Sequence, residues 1–211
     1  MRYERKYRIE QVDKHLILQT LKLHPAGLQV LFPDRQINNI YFDTPSLTTY
    51  KENVMGIANR DKFRVRWYGW DVKDIQHPKL EIKHRRNNVG FKTIHKIESF
   101  ELNALQPLTE RVNALIPSFA VLKPVLQNSY KRSYFSTCDQ KFRLTLDWDL
   151  SYFSFLNNYE FKQHQKTEAD ICILEIKYEK ELEDQVDRIA QFLPFRSTKN
   201  SKYVSGVQLC H

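Results

Sequence analysis

No apolar run in the chain approaches the roughly 20 residues needed to span a bilayer, and the opening residues, Met1 to Arg8, have no apolar segment behind their basic side chains. Neither a membrane segment nor a secretory leader is expected, and the chain reads as soluble and cytoplasmic. Cysteine is scarce: Cys138, Cys172 and Cys210 are odd in number, far apart, and include no C-x-x-C pair. That pattern indicates neither a disulfide framework nor a cysteine zinc site, and it fits a reducing compartment. The seven histidines show no ligand spacing. Without repeats, or a linker rich in Gly, Pro or Ser, residues 1–211 are expected to form a single domain with one core.

What the chain does have is positive charge in a regular pattern. Lys and Arg number 33 against 25 Asp and Glu, a formal charge of +8. Such an excess favours a polyanionic partner, which charge alone does not identify. Charged residues recur two apart between apolar neighbours: Glu4-x-Lys6, Arg64-x-Arg66, Glu81-x-Lys83 and Glu175-x-Lys177, with Arg143 to Asp147 similar. Residues i and i+2 of a strand share a face, so each stretch is charged on one side and apolar on the other. Strands are expected at 2–10, 36–43, 61–69, 78–86, 90–99, 123–136, 140–148, 150–156 and 171–178. Helical periodicity appears over 12–23, 105–115 and 182–193, and 157–170 reads as a surface loop.

The fold class this predicts is mainly β (α+β): a closed eight-stranded antiparallel β-barrel tunnel with a charged lumen and a few helices packed outside. Burying that many unmatched cations costs several kcal/mol per ion, so the lumen must be wet or filled by anions. Arg64 and Arg66 repel each other unless an anion lies between them, which marks them as an anion site. Glu81 with Lys83, and Glu175 with Lys177, are open to a plainer reading as cross-strand salt bridges. Asp147 reads as the partner of a neighbouring arginine, and Asp43, before Thr44-Pro45, as a cap. Lys199 and Lys202 follow Pro194 in a polar segment where solvated lysines are usual. Trp67, Trp70, Trp148 and the run Tyr152 to Phe155 read as barrel exterior packed under helices.

Taken in order, Arg2-Tyr-Glu4-Arg-Lys6-Tyr7, Asn39-Ile-Tyr-Phe-Asp43, Arg64-Val-Arg66-Trp-Tyr68, Leu80-Glu81-Ile-Lys83, Tyr130-Lys-Arg132, Arg143-Leu-Thr-Leu-Asp147, Leu174-Glu175-Ile-Lys177-Tyr178 and Ser201-Lys202-Tyr-Val-Ser-Gly206 resemble the VTC (vacuolar transporter chaperone) domain. This is the polyphosphate polymerase branch of the triphosphate tunnel metalloenzymes, the CYTH-like superfamily. The resemblance implies transfer of the γ-phosphate of ATP to a growing inorganic polyphosphate chain, with Mn2+ or Mg2+ as cofactor. It implies Lys6, Arg64, Arg66, Lys83, Arg132, Arg143 and Glu175 as catalytic residues. The same cations, joined by Lys92, Lys177, Lys199 and Lys202, would be the phosphate ligands. Glu175 would hold the metal, with Glu4 and Glu81 as further candidates. Arginine forks and lysine point charges suit phosphate oxygens, and carboxylate suits a hard cation.

Two departures bear on activity. The wider superfamily opens with Glu-x-Glu-x-Lys, and Arg2 stands here in place of the first glutamate, which favours the polymerase branch over two-metal cyclase or thiamine triphosphatase chemistry. The phosphate-sensing SPX domain and membrane helices of eukaryotic members are not expected. The expected partners are ATP or another triphosphate and inorganic polyphosphate. Nucleic acid is not expected, because the basic residues share their faces with carboxylates and not with exposed aromatics. A tripolyphosphate or nucleoside triphosphate hydrolase is the main alternative, and a non-catalytic polyphosphate-binding module is the next.

Overall fold

The computed structural model describes residues 2–70, 74–87, 89–116, 120–156 and 165–210. Nine strands form one sheet: β1 (Arg2–Glu10), β2 (Gln29–Asp43), β3 (Asn59–Tyr68), β4 (Lys79–Arg86), β5 (Val89–Lys96), β6 (Lys123–Ser136), β7 (Arg143–Ser154), β8 (Lys166–Glu168) and β9 (Ile171–Glu179). The order is β1-β9-β7-β6-β2-β3-β4-β5, with β8 paired to β7. The helices are α1 (Lys14–Lys22), α2 (Thr48–Val54), α3 (Leu105–Leu115), α4 (Asp187–Ala190) and α5 (Lys202–Cys210).

The expected closed barrel is corrected, because the strand order runs from β1 to β5 without the two ends pairing among the described residues. The outer edge of β1 is covered in part. Thr198 donates its backbone N–H to Lys6 O at 2.7 Å, and its hydroxyl accepts from Arg8 N at 2.9 Å. At the other end, β5 carries Lys92 and Lys96, charges of the kind that blunt a free edge.

Contacts divide the chain into two compact units, Met1–Arg35 with Tyr130–Leu150 and Thr167–Asn200, and Gln36–Ser129 with Ser151–Lys166 and Ser201–His211. The first unit is built on β1, β9 and β7. Alternation turns Tyr7, Ile9, Leu144, Leu146, Leu174 and Ile176 to one face, where Ile17 and Leu21 of α1 and Ile189 of α4 bury them. Asp13 caps α1 by accepting from His15 N at 2.6 Å. The apolar stripe expected over 182–193 holds, yet it begins as a 3-10 turn over Lys180–Gln185 before the single turn of α4. Arg5 fastens that turn to β1 through Asp187 at 2.5 Å and Glu183 at 3.3 Å.

The second unit packs Ile40 and Phe42 of β2, Phe63, Val65 and Trp67 of β3, and Leu80 and Ile82 of β4 beneath Leu108 and Val112 of α3. Here α5 approaches closely at Gly206, where a Cβ would lie 2.5 Å from Leu126 Cδ2 and from Tyr152 Cδ1. Other differences from the sequence expectations are local. The strands expected at 140–148 and 150–156 are one strand, β7, that passes Asp149 at φ 57°, a left-handed conformation that aspartate tolerates. Part of the loop expected over 157–170 forms β8, and 157–164 lie outside the described residues. Trp67 is buried as expected, whereas Trp70 is 72% exposed and is not packed under a helix.

The contact at Gly206 sets a testable cost. Alanine improves helix propensity by about 1 kcal/mol, but overpacking between two buried side chains costs about 1–3 kcal/mol. Gly206→Ala should therefore lower the urea midpoint, and an unchanged or raised midpoint would show that α5 sits more loosely than this geometry requires.

Candidate functional site

In the second unit, the alternation of β3 sends Phe63, Val65 and Trp67 into the core and Arg60, Lys62, Arg64 and Arg66 to the opposite face. Antiparallel register then sets charges across from one another in rungs. Arg60 lies opposite Arg85, Lys62 opposite Lys83 and then Lys92, Arg64 opposite Glu81 and then Ile94, and Arg66 opposite Lys79 and then Lys96. Glu81 is the only carboxylate on this face of the three strands among the described residues. Like charges directly opposite are destabilising. The effect is visible at Arg60, whose pKa is lowered by burial and then by Arg85.

Glu81 is buried and forms ion pairs with three of these cations. Arg64 donates through Nε at 2.8 Å and Nη2 at 2.6 Å to Oε2, Arg66 Nη1 lies 3.5 Å from the same oxygen, and Lys92 Nζ donates to Oε1 at 2.7 Å. Burial opposes its ionisation, yet Arg64, Arg66 and Lys92 pull its pKa down to about 2. The anion that Arg64 and Arg66 require between them is thus one the chain supplies. Arg66 Nε also donates to Asn39 Oδ1 at 2.9 Å, and Asn39 Nδ2 donates to Asn128 Oδ1 at 2.8 Å. Lys83 is exposed at the centre of its rung. Lys62 was not singled out from the sequence, although it extends the alternation of Arg64 and Arg66 one step back. Its Nζ donates to Ser201 Oγ at 3.0 Å.

In the first unit, β1, β9 and β7 line up Glu4 with Lys177 and Arg143, and Lys6 with Glu175 and Thr145. Lys6 Nζ lies 3.2 Å from Glu4 Oε1 and 3.4 Å from Glu175 Oε1, and it also reaches Asn200 O at 3.4 Å. Lys177 Nζ lies 2.9 Å from Glu175 Oε2. Burial disfavours the Lys6 cation, but Glu175 and Glu4 outweigh it and raise the pKa above the ordinary lysine value. Arg132 grips Asp147 with a two-pronged ion pair, Nε to Oδ1 and Nη2 to Oδ2, the latter at 2.6 Å. Asp147 therefore does orient an arginine. Arg143 is exposed and has no ion pair among the described residues.

Asp43 caps α2, accepting from the N–H groups of Thr49 and Tyr50 at 2.9 Å each. Lys199 is exposed at the end of the first unit, and Lys202 opens α5 in the second. The cations predicted from the sequence thus fall into two clusters, one in each unit.

The first cluster has a donor set that fits a hard divalent cation. Glu175 and Glu4 supply carboxylate oxygens, and Thr145, in register with Glu175, has a buried hydroxyl oxygen with no hydrogen-bond partner among the described residues. No group of three or more His, Cys, Asp or Glu residues converges among the described residues. Few carboxylates, with the remaining positions left to water and substrate phosphate, is the usual arrangement for Mg2+.

The sequence matches the VTC domain over residues 1–211, and the chain belongs to that family. The fold agrees with three solved structures. A candidate adenylate cyclase from Vibrio parahaemolyticus is 16% identical with a TM-score of 0.54, covering 98% of this chain and 97% of that one. A protein from Pyrococcus horikoshii is 12% identical with a TM-score of 0.54 over the same shares. A candidate adenylyl cyclase from Hippeastrum, described as having a dominant triphosphatase activity, is 15% identical with a TM-score of 0.52, covering 98% and 96%. A comparison with curated protein sequences finds no match. No helix among the described residues is long and apolar enough to cross a membrane.

The depressed pKa of Glu81 fixes the sign of a pH effect. A carboxyl whose folded pKa lies below its unfolded value contributes stability above the unfolded value and loses it as pH falls through the folded one. Glu81→Gln, which strips three cations of their shared carboxylate, should cost on the order of 3 kcal/mol at pH 7. In urea titrations the gap between wild type and variant should narrow from about pH 5 down to pH 2. A gap that stays constant over that range would remove Glu81 from this role.

Proposed function

We propose that this protein is a divalent-metal-dependent phosphotransferase that passes the γ-phosphate of ATP to the end of an inorganic polyphosphate chain. The observation that carries this reading is the rung of Lys62, Lys83 and Lys92 across β3, β4 and β5. With Arg64 and Arg66 alongside and one carboxylate among them, the face calls for a flexible polyanion with closely spaced charges. Membership of the VTC family supports a phosphate chain as that polyanion.

Phosphoryl transfer demands little covalent help and much positioning and charge neutralisation. Arg64 and Arg66 present guanidinium forks to non-bridging oxygens, and the lysines of the rung neutralise successive phosphates. Arg132, held by Asp147, presents a fixed cation, while Arg143, Lys177, Lys199 and Lys202 supply further positive charge. Glu175, with Glu4 and the Thr145 hydroxyl beside it, would hold Mg2+ or Mn2+. A divalent cation held by these residues would supply charge neutralisation to a phosphate beside it. The attacking group is a terminal phosphate oxygen of the acceptor, ionised at neutral pH, so no general base is required.

Triphosphate hydrolysis is the second reading, favoured by the fold shared with the Hippeastrum protein described as a triphosphatase. It differs only in having water as acceptor. Incubation with ATP and Mn2+ separates the two: ADP with polymer supports transfer, and phosphate without polymer supports hydrolysis.

Tripolyphosphate at about 1 mM should raise the melting temperature by binding the native state, and by more than sulfate does at equal concentration. Glu175→Gln should cut turnover by at least about a hundredfold while tripolyphosphate affinity holds or rises, because Lys6 and Lys177 lose a competing carboxylate. Full turnover in that variant would exclude Glu175 as the metal ligand.

A further inference from the structure

Asp43 does more than cap a helix. Its side chain is fully buried, and both oxygens are filled. Oδ1 accepts from the N–H groups of Thr44 at 2.7 Å and Thr49 at 2.9 Å, and Oδ2 accepts from the Thr49 hydroxyl at 2.7 Å and Tyr50 N–H at 2.9 Å. Those four bonds already satisfy the turn into α2. The fifth donor comes from the far end of the chain: the Tyr203 hydroxyl, 2.6 Å from Oδ2. Burial, and then the Asp43 carboxylate, hold that hydroxyl protonated far above its ordinary pKa, so it stays a donor.

Tyr203 lies in the first turn of α5, one residue after Lys202. Its ring stacks on Tyr41 with centroids 5.0 Å apart and meets the edge of Tyr50 at 6.3 Å. One turn on, Gly206 is wedged against Leu126 and Tyr152. Gripped at both places, α5 cannot rotate about its axis without breaking one contact or the other. Just before it, Ser201 Oγ accepts from Lys62 Nζ at 3.0 Å and from Asn53 Nδ2 of α2 at 3.4 Å. Asp43 therefore ties together α2, α5 and, through Ser201, the lysine rung of β3.

We propose that Asp43 and Tyr203 are a positioning pair for phosphate binding, acting through the start of α5 to hold Ser201 and Lys202 beside the cations of β3. This rests on Lys202 being a phosphate ligand, as set out above. Neither Asp43 nor Tyr203 touches substrate. Their effect on affinity passes through Lys202, which makes the effects of Tyr203 and Lys202 non-additive.

The test is a double-mutant cycle read by isothermal titration with tripolyphosphate, using Tyr203→Phe, Lys202→Ala and the two combined. Tyr203→Phe keeps the ring stack and removes only the hydroxyl. Each single variant should weaken binding by about tenfold, and the combined variant should be no weaker than Lys202→Ala alone. Asp43→Asn gives an independent second cycle with Lys202→Ala and should show the same coupling. Urea midpoints separate positioning from stability: a lowered midpoint with unchanged affinity in Tyr203→Phe overturns the proposal. Affinity losses that simply add overturn it too, while leaving phosphate binding intact. If wild type binds tripolyphosphate and Lys202→Ala binds equally well, Lys202 is not the intermediary and the proposal falls alone. If wild type takes up no tripolyphosphate at millimolar concentration, the phosphate reading falls and this inference with it.

Discussion

The structure depends on how a surplus of cations is neutralised. On the polar face of β3, β4 and β5, rungs of like charge flank a single carboxylate, Glu81, and Arg64, Arg66 and Lys92 all turn to it. Placing like charges opposite one another costs energy, and a buried carboxylate is costly too unless it is well paired. Here each arrangement offsets the other. Glu81 holds the face together by engaging Arg64, Arg66 and Lys92 at once.

The cluster on β1, β9 and β7 has a different balance. Glu4 and Glu175 are nearly matched by Lys6 and Lys177, and Asp147 is committed to Arg132. The cluster is near neutral, and among the described residues the Thr145 hydroxyl oxygen has no hydrogen-bond partner.

The same economy governs the sheet edges. The free side of β1 takes its hydrogen bonds from Thr198, in the segment that also brings Asn200 O to Lys6. The stretch that covers this edge therefore also holds the Lys6 ammonium. At α5, Tyr203 fastens the helix while Ser201, just before it, accepts from Lys62 of β3.

Which residues share a face is legible from the chain's alternation alone. A two-residue period is a local property of an extended chain, so Glu4 with Lys6, Arg64 with Arg66 and Glu175 with Lys177 were legible before any pairing was known, and the ordered motifs of the VTC family were legible with them. Helices with a clear apolar stripe, such as α1 and α3, were legible for the same reason. Only the tertiary structure decided what lies across from what. That Glu81 meets Arg64, that Lys62, Lys83 and Lys92 form a rung, and that Asp43 meets Tyr203 160 residues away all follow from register and docking. So does the open sheet. Closure of a barrel depends on whether two end strands find each other, and a hydrogen bond from Thr198 to an edge carries no periodic signal.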